Sequence, residues 1–175
     1  MNQIFKNNQI DRNISITTFA EKVEIWSKGE VITFYPSEKP SKDVTKLHPP
    51  LFVEVEAFGS IVKRSLIDGG EALNITTTHL LSQFDPNLLP PREETTIRVK
   101  AFDGTPKKCV RIITLLIKFG KKMLNTLFYI MNGKPSFIFI LGRPWIDDME
   151  GVASTLHRCF KFYFEGNVYK VEADE

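Results

Sequence analysis

Ser65-Leu66-Ile67-Asp68-Gly69-Gly70 is the stretch of this chain that decides the fold, because an apolar run ends in an aspartate that two glycines follow at once. A carboxylate at the end of a strand, on a tight glycine turn, is held rigidly while its oxygens stay open to a ligand. Glycine tolerates unusual backbone angles and lets other backbone come close. Further along the chain, Phe139-Ile140-Leu141-Gly142 is a second apolar run closed by a glycine. We expect this glycine to let a second strand pass beneath the aspartate turn.

The sequence around these two runs predicts an all-β fold. Hydrophobic residues make up 42% of the chain, which is enough for a real core. Residues 52–57 and 97–102 alternate between apolar and polar side chains, a pattern typical of half-buried strands. Many short strands separated by turns predict a small closed barrel. The predicted strands are 52–57, 61–67, 97–102, 110–119, 123–131, 159–164 and 168–172, and short helices are predicted near 76–81 and over 144–149.

The chain divides into an arm and a domain. Residues 1–50 are predicted to be a leader and a Pro-rich arm that is partly ordered, in which 23–26 and 31–34 could each form a short strand. Pro36, Pro40, Pro49 and Pro50 lack backbone donors, which is typical of an extended linker. Residues 51–175 are predicted to form the barrel domain. This domain contains no internal repeat that would supply a second copy of the Asp68 triplet.

The balance of charge argues against a nucleic acid as the main partner. The formal net charge is only +2. Basic residues concentrate between Lys100 and Lys122, where Asp103 is the one acidic residue. Such a run most often indicates the solvated face of hairpins. Contact with an RNA or with an acidic substrate segment is the alternative.

Cysteines, histidines and apolar runs give no sign of a cofactor, a metal or a membrane span. Cys109 and Cys159 are too few for a disulfide framework and match no metal site, so both are predicted to be buried thiols. The three histidines fit no metal triad. The first thirty residues hold no signal-peptide apolar region, and the longest apolar run, 137–142, is too short to span a bilayer. We therefore expect a soluble, intracellular, cytoplasmic protein without cofactors.

The run from Leu66 to Ile75 resembles the active-site segment of retropepsin-like aspartic proteases from plant gypsy-class retrotransposon polyproteins. Further blocks follow in the order of that family. Phe102-Asp103-Gly104-Thr105 resembles its flap turn, and Ile140-Leu141-Gly142-Arg143-Pro144-Trp145-Ile146 resembles its most recognisable run. Ser154-Thr155-Leu156-His157 opens a stretch that resembles its closing block. The resemblance covers about residues 50–172.

The resemblance implies a retropepsin-type barrel with aspartic endopeptidase activity. Peptide hydrolysis needs one group to take a proton from water and another to protonate the carbonyl oxygen. Two carboxylates a few ångströms apart divide these roles because they cannot both ionise, as is known for aspartic proteases. The second aspartate would come from a second copy of the chain across a two-fold axis. The implied substrate is an extended polypeptide, a retrotransposon-type polyprotein.

The same resemblance assigns roles to residues of this chain. Asp68 is the expected catalytic group. The expected active-site floor consists of Gly69, Gly70, Ile140, Leu141 and Gly142, and the expected flap consists of Phe102, Asp103, Gly104 and Thr105.

Two residues depart from the family pattern. The family at large has Ser or Thr where this chain has Gly69, and the missing hydroxyl hydrogen-bonds across the dimer. Glu71 stands where a small residue is usual, and Arg143 is a candidate partner for a neighbouring acid. These departures keep an alternative open, in which the chain is a catalytically weakened or silent retropepsin-fold interaction module, domesticated or decaying. A third interpretation, a nucleic-acid-associated protein, rests on the basic segment 100–122.

Overall fold

The chain folds into strands and two short helices. The computed structural model describes residues 23–28, 31–40, 48–100, 105–133 and 138–174. The α-helices among these residues are α1, Thr78–Leu81, and α2, Arg143–Asp148, and 3-10 turns lie at Pro36–Glu38 and Pro86–Leu88. The strands are β1 Val23–Lys28, β2 Phe52–Ala57, β3 Ser60–Ile67, β4 Ile75–Thr77, β5 Arg98–Lys100, β6 Pro106–Lys108, β7 Arg111–Phe119, β8 Lys122–Met131, β9 Ile140–Leu141, β10 Gly151–Ser154, β11 Cys159–Phe164 and β12 Asn167–Glu172.

Six of the strands close into a barrel in the order β2-β3-β9-β4-β8-β7, with β7 pairing back to β2. The long hairpin β7–β8 forms one wall and is paired antiparallel along its whole length. Burial alternates along the second half of β7, so that Ile113, Leu115 and Ile117 belong to the hydrophobic core. The prediction of a small, closed, all-β barrel with one or two short helices is confirmed.

Two pairings in the barrel are parallel, and one of them lies at the end of β3. Strand β3 pairs with β9, with Leu66 opposite Ile140 and Ile67 opposite Leu141. Strand β4 pairs in parallel with β8 on one side and antiparallel with β9 on the other. Sequence patterns do not predict β4, β6 or β10, because three or four residues are too few to show an alternation.

A second sheet, in the order β1-β12-β11-β10, packs one face on the barrel core. Phe160 and Phe162 of β11 are fully buried, and their ring centres lie 5.8 and 5.6 Å from that of Phe119 in β7. Trp145 of α2 joins this cluster, with its ring centre 5.3 Å from those of Phe119 and Phe160. The cluster therefore anchors α2 to both sheets.

Residues 31–40 form an extended strap on this second sheet rather than the strand predicted at 31–34. The carbonyl of Thr33 accepts a hydrogen bond from Nζ of Lys161 at 2.7 Å, and that ammonium lies 4.9 Å from the ring centre of Phe34. The prediction of a strand there is wrong, because contacts with the Lys161 side chain take the place of a strand ladder. The strand predicted at 23–26 is present as β1, and it pairs with β12.

Glu38 of the strap places a carboxylate beside two lysines that the sheet brings together. Lys161 and Lys170 stand directly opposite each other on β11 and β12, and like charges in such a pair repel. Oε1 of Glu38 lies 2.6 Å from Nζ of Lys161 and 3.8 Å from Nζ of Lys170. Burial raises the pKa of Glu38, but hydrogen bonds from Lys161 and from the Tyr35 backbone, with both ammonium charges, outweigh burial and hold that pKa below its usual value.

Both helices lie where the sequence predicts them. Helix α1 begins after Thr77, whose Oγ1 accepts a hydrogen bond from the N–H of Leu80 at 3.2 Å, as expected of a capping hydroxyl. Helix α2 has Pro144 in its first turn, where the missing N–H has no intrahelical partner to lose. No helix in the described part of the chain is long and apolar enough to cross a membrane.

Candidate active site

Asp68 follows directly on β3 and is held in place through its backbone. Its N–H donates to the carbonyl of Leu141 at 3.0 Å, and the N–H of Leu66 donates to the carbonyl of Phe139 at 2.8 Å. The two apolar runs singled out in the sequence therefore lie side by side as parallel strands. This pairing fixes the point at which the aspartate leaves the barrel wall.

The carboxylate of Asp68 lies in a tight turn and is partly exposed. Its Oδ1 accepts a hydrogen bond from the N–H of Gly70 at 2.9 Å, and its backbone carbonyl accepts one from the N–H of Glu71 at 3.2 Å. A β carbon on residue 70 would stand 3.1 Å from that same Oδ1, so the glycine keeps the approach open. None of the described residues donates a hydrogen bond to Oδ2, which leaves this oxygen available to a reactant.

Gly142 packs beneath the turn that begins at Asp68. A β carbon at residue 142 would lie 2.4 Å from the carbonyl oxygen of Leu73 and 2.9 Å from that of Glu71, both of them backbone atoms. The next residue, Arg143, donates its N–H to the Glu71 carbonyl at 3.0 Å. A glycine is therefore required for the two turns to pass at this distance.

Arg143 binds the glycine turn itself and not a neighbouring acid. Its Nη1 donates to the carbonyl of Gly70 at 3.1 Å and lies 3.4 Å from that of Gly69. Glu71 turns instead to its own backbone, since its Oε1 accepts from the N–H of Ala72 at 2.8 Å. Among the described residues no carboxylate lies within ion-pair distance of the Arg143 guanidinium. The guanidinium thus fixes the two carbonyls that follow Asp68 in the chain.

Asn74 is a residue of the site that the sequence analysis missed. Its side chain is buried, with Oδ1 accepting from the N–H of Gly142 at 2.9 Å and Nδ2 donating to the carbonyl of Leu127 at 3.1 Å. Its own carbonyl accepts from the N–H of Tyr129 at 2.9 Å. The available signal was a lone amide residue immediately before Ile75, and that signal does not distinguish a buried link from a turn.

The other residues predicted to form an active-site floor differ in burial. Ile140 and Leu141 are buried in β9, whereas Gly69 is exposed. An added β carbon at residue 69 would meet only Cδ1 of Ile146, at 4.0 Å, and the backbone there does not have a positive φ. The described part of the chain therefore leaves room for a side chain at residue 69.

The predicted flap lies largely outside the described residues. Strands β5 and β6 pair antiparallel as a hairpin, with Arg98 opposite Lys108, and Thr105 is exposed beside β6. Phe102, Asp103 and Gly104 fall in the part of the chain that is not described. The structure therefore shows the paired strands β5 and β6, and the assignment of residues 102–105 as a flap stays a prediction.

Much of the basic segment is paired with acids of the barrel surface. Arg111 lies 2.9 Å from Glu94, and Lys118 lies 3.1 Å from Glu56. Lys122 is mostly buried and contacts Glu150 at 3.2 Å. Arg111 and Lys118 agree with the interpretation of this segment as a solvated face of hairpins, whereas Lys122 lies largely inside the fold.

The thiols and histidines of the chain form no second site in the described residues. Cys109 and Cys159 are both free and buried, as predicted. Burial raises the pKa of the Cys109 thiol, and it raises the pKa of Cys159 to about 11. His157 contacts Ser154 Oγ through Nδ1 at 2.8 Å and stacks on Phe34, which fits a structural role. The described residues contain no group of three or more His, Cys, Asp or Glu that could hold a metal ion.

No protein-family model and no curated protein matches the sequence. Among solved structures, the retroviral protease-like domain of Ddi1 from Leishmania major is similar over 68% of this chain and 91% of that one, with 16% identity and a TM-score of 0.48. EIAV protease, complexed with the inhibitor HBY-793, is similar over 70% and 99%, with 14% identity and a TM-score of 0.47. A retropepsin-like aspartic protease from Rickettsia conorii is similar over 70% and 82%, with 16% identity and a TM-score of 0.40.

Proposed function

We propose that this protein is an aspartic endopeptidase module of the retropepsin type, with Asp68 as its catalytic group. The observation that carries the proposal is the state of the Asp68 carboxylate. It stands at the end of a barrel strand, one oxygen is held by the N–H of Gly70 at 2.9 Å, and the other oxygen has no donor among the described residues. A carboxylate that is oriented through one oxygen, with its other oxygen open to accept a proton, is suited to take a proton from a water molecule.

The reaction requires a second carboxylate, and we propose that a second copy of the chain supplies it. In the dimer one Asp68 is ionised and removes a proton from water, which attacks the scissile carbonyl carbon. The protonated Asp68 of the other copy donates its proton to the carbonyl oxygen, giving a neutral tetrahedral diol. As this diol collapses, the protonated Asp68 gives its proton to the leaving nitrogen and the C–N bond breaks. A hydroxyl of the diol returns a proton to the ionised Asp68, so the dyad again holds one proton.

The remaining site residues have supporting roles in this proposal. Gly142 allows the floor turns to pack closely, and Gly70 leaves room for Oδ1 of Asp68. Gly69 belongs to the exposed part of the floor turn, and Ile140 and Leu141 form the apolar base beneath Asp68. Residues 102–105, the flap that the resemblance assigns, would close over an extended substrate. Such a substrate would pair its backbone with strand edges, so that its side chains alternate between pockets.

The resemblance of the sequence to plant gypsy-class retropepsins supplies the finer parts of the proposal. On this basis the module belongs to that group and processes a retrotransposon-type polyprotein in the cytoplasm. The proposal also takes 51–175 as the peptidase domain and 1–50 as an arm. The pairing of β1 with β12 and of Glu38 with Lys161 indicates that part of this arm contributes to the stability of the domain.

A second candidate function is favoured by the empty space at Gly69. Without a hydroxyl at this residue, a dimer lacks the cross-axis hydrogen bond that the resembled family makes there. A barrel that dimerises too weakly to assemble the dyad would be a silent interaction module. Measuring activity together with oligomeric state separates the two candidates.

The proposed function is tested by a peptide-library assay at acid and neutral pH. The wild type, Asp68→Asn and Asp103→Asn are compared at equal concentration. We expect cleavage in the acid range by the wild type and Asp103→Asn, and none by Asp68→Asn, because that change removes only the ionisable group. Full activity of Asp68→Asn would exclude this residue as the catalyst. A dimeric wild type without activity would favour the interaction module.

A further inference from the structure

Asn74 connects the Asp68 turn to two neighbouring strands, and we propose that it is a positioning residue for the Asp68 carboxylate. The inference rests on the function proposed above. Asn74 is only 4% exposed and lies immediately before β4, six residues after Asp68 in the chain. It does not contact the carboxylate, so any effect on catalysis passes through the groups that it binds.

The side chain of Asn74, one residue before β4, forms a hydrogen bond toward each of the two strands that flank β4. Toward β9, its Oδ1 takes the N–H of Gly142 at 2.9 Å. Toward β8, its Nδ2 gives a hydrogen bond to the carbonyl of Leu127 at 3.1 Å. An amide has both an acceptor and a donor, so it can join these two strands at the residue before β4 begins.

A continuous chain of contacts leads from Asn74 to Asp68. The hydrogen bond to the Gly142 N–H sets the position of that turn, which passes against the carbonyls of Leu73 and Glu71. From there Arg143 binds the Glu71 carbonyl through its N–H and the Gly70 carbonyl through its guanidinium. Gly70 in turn donates its N–H to Oδ1 of Asp68.

The chemistry of residue 74 makes this chain of contacts testable by pH. An ionised aspartate there would keep the acceptor for Gly142 but lose the donor to Leu127, and it would face that carbonyl with a negative charge. A protonated aspartate regains a donor. Burial favours the neutral acid, so the carboxyl group introduced by Asn74→Asp would take up its proton in the acid range. The amide therefore should be replaceable by a carboxylic acid and not by a carboxylate.

The experiment compares the wild type, Asn74→Ala and Asn74→Asp in kcat and KM from acid to neutral pH on one cleaved peptide. Asn125→Asp, on an exposed part of β8, is the control for added charge. We expect Asn74→Ala to lower kcat by about tenfold or more with little change in KM, because small misplacements of reacting groups are costly. For Asn74→Asp, kcat relative to the wild type should rise as the pH falls. Asn125→Asp should show no such trend.

Amide hydrogen exchange gives a readout that does not require catalysis. In Asn74→Ala the N–H groups of Gly142 and Gly70 should lose protection, and in Asn74→Asp they should regain it at acid pH. Normal kcat in Asn74→Ala, or a pH-independent loss in Asn74→Asp with unchanged protection, would overturn the inference. An inactive wild type would refute the proposed function, and exchange at Gly70, which binds the Asp68 carboxylate, would then decide alone. Wild-type protection of the Gly70 N–H in Asn74→Ala would overturn the link, and lost protection would support it.

Discussion

Gly142 stands so close to Leu73 that a β carbon on residue 142 would lie 2.4 Å from the Leu73 carbonyl oxygen. This is the contact at which the segment after β9 passes beneath the Asp68 turn. Both partners are backbone, so neither can move aside by changing a rotamer. The geometry of the candidate site therefore depends on the absence of a side chain at Gly142 as much as on the side chains of its other residues.

Gly142→Ala should destabilise the fold by about 1–3 kcal/mol, because backbone must shift to admit the methyl group. Gly69→Ala is the matched control, since its β carbon meets only Ile146 Cδ1 at 4.0 Å and its backbone angle suits an L-residue. Gly69→Ala should leave the free energy of unfolding unchanged or raise it by up to about 1 kcal/mol, because alanine lowers the conformational entropy of the unfolded chain. Urea unfolding of both variants measures the difference. Equal stability of the two would show that the close approach is relaxed in solution.

Gly69→Thr should strengthen the proposed dimer. The backbone angle and the open space at residue 69 admit a β-branched side chain, and its hydroxyl could hydrogen-bond across the two-fold axis. One net hydrogen bond is worth roughly 1 kcal/mol, or about fivefold in the dimer dissociation constant. Sedimentation equilibrium of Gly69→Thr beside Gly69→Ala isolates the hydroxyl. Equal dissociation constants for the two variants would contradict this account.

The buried carboxylate of Glu38 should make stability depend on pH. In the folded protein the pKa of Glu38 lies below its ordinary value of 4.5. Its contribution to the free energy of unfolding is therefore complete above pH 4.5 and is lost as the pH falls through the pKa of the folded state. At neutral pH Glu38→Gln should cost about 3–5 kcal/mol, because it removes the carboxylate that pairs with the fully buried Lys161, whereas Lys170 keeps its ion pair with Glu172. The difference from the wild type should shrink below pH 4.5.

Glu94→Gln is the control for the Glu38 prediction. Glu94 pairs with Arg111 at the surface with its side chain 82% exposed, so its loss should cost less than about 1 kcal/mol at any pH. Thermal unfolding of both variants and the wild type over an acid-to-neutral series gives the comparison. A cost for Glu38→Gln that does not change with pH would show that the carboxylate is not charged in the fold.

Cys159 should resist thiol reagents in the native protein. Its side chain is fully buried, and burial raises its pKa to about 11, so very little thiolate exists near neutral pH. Labelling with iodoacetamide at about pH 8 should be slow in buffer and fast in denaturant, as followed by mass spectrometry. Rapid native labelling of Cys159, mapped by peptide digestion, would mean that β11 opens readily.

Those parts of the fold that repeat a pattern were predictable from the sequence. Alternation of apolar and polar residues predicted β2 and β5, and the turn residues between strands predicted a closed all-β barrel. Strands β4, β6 and β10 were missed because tertiary pairing, not local pattern, creates them. The strand predicted at 31–34 is absent because the Lys161 side chain binds the backbone there instead.

The candidate site was predictable in its position but not in its connections. The apolar runs ending at Asp68 and Gly142 indicated two strands that meet, and the structure pairs them. The role of Arg143 toward the carbonyls of Gly69 and Gly70 was not predictable, because no sequence pattern shows which backbone atoms a guanidinium reaches. Asn74 was missed for the same reason, since its partners are distant in sequence.

The central claim, that two copies of Asp68 form one catalytic centre, is tested most directly by mixing subunits. Wild type and Asp68→Asn are combined at a fixed total concentration, allowed to exchange, and assayed on one peptide. If each active centre needs both carboxylates, activity falls as the square of the wild-type fraction, so an equal mixture keeps about a quarter of the starting activity. Activity that falls in direct proportion to the wild-type fraction, with half remaining in the equal mixture, would contradict the shared centre.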